Sequence, residues 1–528
     1  MHGNSIEINN EFKKALELAE NTSKHIFITG KAGTGKSTFL EYFRDNTSKK
    51  VVVLAPTGVA ALNVKGETIH SFFKFKPDIT LEKIKKHKGK SANIYKKIDA
   101  IVIDEISMVR ADLLDCIDKC LRLNAKTSGM AFGGVQMIFV GDLYQLPPVV
   151  VGKEKEIFRF YYQSPYFFDA RIFDGLPMEF VEFEKNYRQK DEQFINLLNK
   201  IRNNSISDRE LSIINTRLNA PVPENKNLSY TVILTTTNQT AMRINEAHLE
   251  KLSARMYTYK ALVMGSFEKS SFPTDDLLKV KVGAQVMLLN NDAQGRWVNG
   301  TMAKIVDIKS NKERDIIFVK LAGGEIEEVL PYKWEIFHFR INEETGNLQT
   351  EVAGNFIQYP LKLAWAVTIH KSQGKTFDRV IIDLERPTFA SGQMYVALSR
   401  CRSLDGIVLK QPVKKSHILM DWRVVRFLTK YQYELSEKSL PLKEKINIIT
   451  QAIKNRDLLE IIYLKSNDEK SKRVIKPQNV GEKMYLDKTF IGVEAFCLKK
   501  KDNRVFRVDR ILEMKVSQSK TSLNHMVY

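Results

Sequence analysis

The residues Gly30-Lys31-Ala32-Gly33-Thr34-Gly35-Lys36-Ser37-Thr38 follow the apolar run His25–Thr29 and precede a helical pattern. The spacing Gly30-x-x-x-x-Gly35-Lys36-Ser37 in that context is that of a loop that wraps phosphate. Its glycines let backbone N–H groups turn inward on phosphate oxygens, and the helix behind adds its positive end. Lys36 is placed to reach the β- and γ-phosphates, and the Ser37 hydroxyl to hold Mg²⁺. Gly30, Ala32, Gly33, Thr34, Gly35, Lys36, Ser37 and Thr38 are therefore the expected nucleotide-binding residues. Asp104 and Glu105 end a second apolar run, "AIVI". An acid there suits Mg²⁺ through the metal's water shell, and its neighbour can deprotonate an attacking water. Gln145, just beyond Gly141-Asp142 in "VQMIFVGDLYQLPP", is neutral and can donate to a γ-phosphate. The chemistry implied is hydrolysis of a nucleoside triphosphate.

These clusters, and "TGVAA" after 49–56, stand at the ends of Val/Ile runs without alternation in the stretches 25–40, 49–56, 98–107 and 135–148. Such runs predict a parallel sheet covered on both faces, with ligands beyond its carboxyl ends. A second α/β pattern follows residue 180, in "SYTVILTTTNQTAMRIN" (229–245), "LKLAWAVTIHKSQGKTFDRVIIDL" (361–384) and "SGQMYVALSRCRSLDGIVLK" (391–410). It has no glycine-lysine loop, so it is not expected to hold a second nucleotide's phosphates. The first unit in turn lacks an obvious arginine for developing γ-phosphate charge. Arg188 and Arg400 are the candidates to reach across from the second; Arg402 is expected to pair locally. A site completed only on closure of two lobes would convert hydrolysis into motion.

At 528 residues the chain exceeds one hydrophobic core, and 43% apolar content makes it globular. Lys and Arg outnumber Asp and Glu 82 to 62, a net charge of +20 that suits a polyanion such as nucleic acid. The stretch "MHGNSIEINNEFKK" has no apolar signal core, and no run approaches the roughly 18 apolar residues of a membrane span. No membrane partner, a cytoplasmic location and a monomer are expected. Cys116, Cys120, Cys401 and Cys497 are scattered, which favours reduced thiols and core packing over zinc.

With these residues in view, the chain resembles superfamily 1 helicases, and among them the PIF-type branch of 5′-to-3′ DNA helicases. The resemblance runs from about residue 8 to 425. It is carried by "GKAGTGKST", "APTGVAALNVKGETIHSFF", "VIDEISMV", "GDLYQLPPV", "NYRQKDEQF", "TNQTAMRIN", "TIHKSQGKTFDRV" and "QMYVALSRCRS". Residues 112–142 are similar to the stretch that separates this branch from RecD-like relatives. The resemblance implies an α/β fold of two RecA-like parallel-sheet lobes, with ATP and Mg²⁺ as cofactors. It implies single-stranded DNA and forked or structured DNA as partners, with duplex unwinding during 5′-to-3′ movement. Forks, R-loops, G-quadruplexes and DNA repair or replication are the settings it suggests.

Thr57, Gly58, His70, Ser71 and Phe72 match the family's DNA-contacting segments in the first lobe. Asn238, Thr368, His370 and Lys371 match those in the second, and Gly374 joins the nucleotide-binding set. Phe72 and the histidines offer stacking faces, and Lys371 a phosphate contact; one of Phe72 and Phe73 is expected in the core. Relatives carry an adenine-reading Gln near the start. Phe12 stands there in this chain, leaving Phe12 to stack on the base or Asn10 to hydrogen-bond it. Two other readings stay open: a strand-tracking ATPase that remodels DNA–protein complexes, and a DNA-sensing regulator acting through its C-terminal module.

The expected organisation is a first lobe over 1–180, with a small insert at 73–97 whose basic run "KIKKHKGKSANIYKK" is a candidate for the fork. The second lobe is expected over 181–274 and 351–430. Strand-like runs within 275–350 suggest a small β-barrel, and the resemblance makes it an SH3-like insert. Trp297 and Trp334 are either its core or DNA contacts. After a charged linker at 431–445, residues 446–528 resemble a WYL domain, a β-rich module. Arg504, Arg507 and Arg510 match its ligand-facing positions, and Ile491–Val493 stand where the Trp-Tyr-Leu would be.

Overall fold

The computed structural model describes residues 8–76, 79–87, 90–150, 158, 160–189, 191–221, 230–310, 314–342, 348–384, 390–486 and 488–517. The chain divides into two compact units, Met1–Arg202 with Ile206–Leu419, and Asn203–Ser205 with Met420–Tyr528.

In the first unit, six strands form one parallel sheet: β1 (His25–Gly30), β2 (Val51–Ala55), β3 (Glu67–Thr68), β4 (Ala100–Ile103), β5 (Gln136–Val140) and β6 (Met178–Phe183). Their order is β3-β2-β4-β5-β1-β6. β4 and β5 are buried at every position, because helices cover both faces and no residue turns to water. Helix α1 (Asn10–Asn21) and helix α2 (Lys36–Asn46) pack Phe12, Phe39, Leu40 and Phe43 onto Ile26, Ile28 and Val181. β4, β5 and β1 are neighbours, so the loops leaving them emerge side by side. β6 pairs with β1 from Met178 to Phe183 and so carries the first sheet past the expected boundary at 180.

A second sheet is also parallel, in the order Ala366–Thr368, β7 (Thr231–Thr235), Arg379–Ile382, Ile407–Leu409. Its apolar cluster takes in Ala32 and Leu146 from the first lobe beside Tyr395 and Leu398. The lobes thus share buried surface where the phosphate loop lies.

The β insert extends beyond 275–350 on both sides, so those bounds are corrected. Met256–Lys260 pairs with Leu277–Lys281, and Leu262–Gly265 pairs with Leu348–Gln358. "LKLAWAVT" divides: Leu361–Leu363 pairs antiparallel with Val286–Leu288, whereas Ala366–Thr368 pairs parallel with β7. Periodicity cannot see that division, because both pieces are short, apolar and half-covered. Both tryptophans belong to cores. Trp297 is buried and donates to Asn290 Oδ1 at 3.1 Å, and Trp334 packs on Phe356. Residues 88–89 of the basic run and 311–313 and 343–347 of the insert lie outside the described residues.

The segment expected as a linker, 431–445, is helical on both sides of Pro441. Helices Trp422–Ser439 and Leu442–Asn455 run through it. Val424, Val425, Leu428, Gln432 and Ser436 recur at helical spacing on a buried face, an amphipathic pattern that the surrounding charge disguises. Pro441 breaks the run because it cannot continue a helix's hydrogen bonding. Beyond it lies a five-stranded antiparallel sheet in the order Asp502–Arg507, Lys488–Cys497, Lys470–Tyr485, Leu458–Leu464, Ile511–Ser517. Arg507 grips Asp509 through two bonds, at 3.1 and 2.6 Å.

Candidate active site

The phosphate loop wraps inward because its glycines adopt backbone angles that side chains resist. Gly33 and Gly35 have φ of 83° and 89°, and a Cβ on Gly33 would stand 2.5 Å from the Arg188 Cβ. Gly35 caps helix α2, whose first residue is Lys36. The ammonium of Lys36 donates to the carbonyls of Gly30 at 2.6 Å and Lys31 at 2.9 Å. Thr34 is buried and bonds Lys31 O, whereas Ser37 and Thr38 are exposed at the cradle's edge.

Asp104 and Glu105 stand at the end of β4, with Glu105 in the left-handed region at φ 50°. That conformation costs a non-glycine residue about 1–2 kcal/mol, and here it turns the carboxylate toward the phosphate loop's charges. Burial pushes Asp104 up to about 6 and Glu105 up to about 7, with Asp104 raising Glu105 further and Lys36 opposing both. Burial also lowers Lys36, against the pull of Asp142 and Glu105. Carboxyl oxygens whose proton affinity is raised by burial fit a divalent cation, which Ser37 and Asp104 would hold. Gln145, buried after β5, donates to Asp142 Oδ2 at 3.3 Å and accepts from Gln373 of the second lobe at 3.3 Å.

The opposite wall is basic. Arg400 is 1% exposed and among the largest fully buried side chains. It donates to Val396 O at 3.0 Å, Ser372 O and Lys375 O at 3.3 Å, and Ser399 Oγ at 2.9 Å. All four acceptors are neutral, and among the described residues no carboxylate forms an ion pair with it. Burial, then the nearby Arg188 charge, depresses its pKa to about 9. Arg188 donates to Gly374 O at 3.3 Å, while its second terminal nitrogen is buried without a partner. A buried cation costs several kcal/mol unless an anion meets it; Arg188 lies against Gly33 of the glycine loop, and Arg400 lies within the electrostatic reach of Glu105. Arg402, in contrast, pairs with Asp378 at 3.2 Å near solvent.

Among the candidate DNA residues, Gly58, His70, Ser71 and Phe72 border a cavity of about 1490 Å³ between the first lobe and the sheet that holds Gly265 and His338. Glu67, 2% exposed, ties the cavity's walls together: it accepts from Ser71 at 2.7 Å and meets His338 Nδ1 at 2.6 Å. Thr57 is exposed and caps the following helix; Asn238 is exposed at the start of helix Asn238–Glu250. Lys371 is exposed, His370 is half-buried, and Thr368 is buried, accepting the Lys371 N–H at 3.2 Å.

Residues 7–211 match the family model described as PIF1-like helicase, and 444–516 match the WYL domain. The ATP-dependent DNA helicase Pif1 of Bdellovibrio bacteriovorus is 32% identical over 438 residues, covering 81% of this chain and 93% of that one. The chain belongs to the PIF1-like family of ATP-dependent DNA helicases. The solved structure of unliganded Pif1 from Bacteroides sp is 35% identical, with a TM-score of 0.73 over 81% of this chain and 98% of that one. The same helicase in complex with ADP-AlF4 scores 0.73, and bound to ssDNA it scores 0.59, at the same coverage.

Two aromatic residues expected to touch ligands are core residues in this PIF1-like chain. Phe12 is buried, edge-on to Phe39 at 5.3 Å and stacked on Phe183, so it cannot stack on a base. Asn10, two residues earlier, is exposed. Phe72 and Phe73 are both buried, with Phe72 edge-on to Phe73, Tyr95 and Phe339. In each case an aromatic partner distant in sequence claims the ring. Sequence reasoning also missed Arg202, which is buried over the Tyr144 ring at 3.9 Å and lies 3.6 Å from Asp142. It missed Gln189, which donates to Ser399 O and Cys401 O and so braces Arg400. Gln189 adjoins Arg188 within "NYRQ", the one signal that could have drawn notice.

Proposed function

We propose that this helicase hydrolyses ATP in the cleft between its parallel-sheet lobes and uses lobe closure to move 5′ to 3′ along single-stranded DNA, separating duplex ahead of it. The observation that carries this reading is Arg400, a buried guanidinium bonded only to neutral oxygens and close enough to Glu105 to share its field. Its missing anion has the chemistry of a γ-phosphoryl group. Phosphoryl transfer needs little covalent assistance; it needs positioning and charge stabilisation. The phosphate loop's amides and Lys36 orient the nucleotide. Glu105 accepts a proton from the attacking water, and Gln145, bonded on both lobes, couples phosphate occupancy to their spacing. Arg400 and Arg188 meet the charge that develops on the transferred group. Mg²⁺ held by Ser37 and Asp104 would neutralise phosphate oxygens there.

On the DNA side, Thr57, Gly58, His70, Ser71, Asn238, His370 and Lys371 are the proposed contacts, with Thr368 shaping the Lys371 turn. The net charge of +20 supplies sequence-independent attraction to phosphate. An unwinding assay on duplexes with a 5′ or a 3′ single-stranded tail tests the polarity. Strand release is expected from the 5′-tailed substrate; equal release from the 3′-tailed one overturns the direction. ATP turnover without release from either would leave the remodelling ATPase as the better account.

A further inference from the structure

Helix Gln393–Ser399 touches the first lobe at more than the arginine that follows it. Its capping residue, Gly392, lies so close to the loop after β5 that a Cβ would stand 2.2 Å from Tyr144 O and 2.5 Å from Gln145 O. One turn on, the Tyr395 hydroxyl accepts the backbone N–H of Ala32 at 3.1 Å, inside the phosphate loop itself. Tyr395 is 4% exposed and lies within the electrostatic reach of Arg188, Arg202 and Arg400. The carbonyl of the same Ala32 accepts from Asn186 at 3.2 Å, so the backbone of this residue is held at both its N–H and its C=O, by side chains from the segments that carry Arg400 and Arg188. The ring packs in the apolar cluster that joins the lobes, while only the hydroxyl performs the polar contact.

We propose that Tyr395 is a positioning residue for hydrolysis: its hydroxyl registers helix Gln393–Ser399 on the phosphate loop and so sets where Arg400 meets the γ-phosphate. A seven-residue helix clamped at its start by Gly392 and at its middle by Tyr395 delivers its last turn with little freedom. Gln189 pins that last turn from the other side through Ser399 O and Cys401 O. Loss of the hydroxyl leaves the ring's packing in place but unties the polar register, and a small misplacement of a charge-stabilising group is expensive in rate. The inference rests on the proposed role of Arg400.

The test is DNA-stimulated ATP turnover by the full chain carrying Tyr395→Phe, Arg400→Ala, or both. Tyr395→Phe is expected to lower kcat about ten-fold with KM for ATP changed less than about two-fold, since the contact acts through a transition-state group. Its Tm should match that of the parent. In single-turnover measurements, adding Tyr395→Phe to Arg400→Ala should cost nothing further, because the residue it positions is gone. An unchanged kcat in Tyr395→Phe, a rise in KM equal to the fall in kcat, or an additive loss in the double variant each overturns the inference. Normal turnover in Arg400→Ala would instead overturn the catalytic reading beneath it, so the two failures are separable.

Discussion

At the scale of single residues, the site is a balance of charges held away from water. Arg400 is predicted to matter for rate more than for affinity. Arg400→Ala should reduce turnover by about 10³-fold or more while ATP still binds, as for arginines that stabilise transferring phosphoryl groups. Equilibrium binding of a fluorescent ATP analogue beside steady-state kinetics would check it. Glu105 carries a signed pH prediction for the nucleotide- and metal-free protein. Its folded pKa stands near 7 against 4.5 for the free side chain, so folded protein keeps a proton that the unfolded chain releases between those values. Stability contributed by this group therefore falls as pH rises through that window, and the full cost applies above pH 7. Glu105→Gln should abolish hydrolysis yet raise Tm at pH 8, with the gain vanishing near pH 4.5; a uniform Tm shift at both would contradict the assignment. The glycine spacing, Lys36 and the acid pair were readable because short-range geometry dictates those residue types. Phe12 and Phe72 were not, since an aromatic side chain suits a base and a hydrophobic core equally well.

At the scale of elements, the sites are made by ends of strands rather than by strands. β4, β5 and β1 lie adjacent in the sheet, and that order brings Asp104, Gln145 and Lys36 together. Phe72 belongs to an aromatic cluster with Phe73, Tyr95 and Phe339, and Tyr95 donates to its carbonyl at 3.1 Å. Phe72→Ala is accordingly predicted to cost about 3–5 kcal/mol of stability through the cavity it leaves, as read by denaturant unfolding. A loss of DNA affinity with unfolding unchanged would restore Phe72 as a stacking residue. The runs of Val and Ile revealed both parallel sheets. The insert's true bounds stayed hidden because Leu361–Leu363 and Ala366–Thr368 look alike, and only their partners differ.

At the scale of the whole first unit, the chain matches a helicase without ligand better than the same helicase on DNA, with TM-scores of 0.73 and 0.59. The contact of Glu67 with Ser71 and His338 bridges the first lobe and the sheet facing it. Addition of single-stranded DNA is expected to shift these bodies relative to each other. Fluorescent labels at exposed Lys65 and Met264 would report the change as altered energy transfer, and a constant signal on saturation with DNA would count against it. DNA affinity should also fall steeply between about 50 and 200 mM salt, as counterion release requires. The sequence by itself determined that a glycine loop would turn into a helix at Lys36, where the acids would stand, and that two parallel sheets would form, because loop spacing and hydrophobic period are local properties of a chain. Only the tertiary structure decided that Arg400 is buried without an anion, that Tyr395 grips the phosphate loop, and that Phe12 and Phe72 face inward. Those outcomes depend on which distant surfaces meet, and no window of neighbouring residues contains that information.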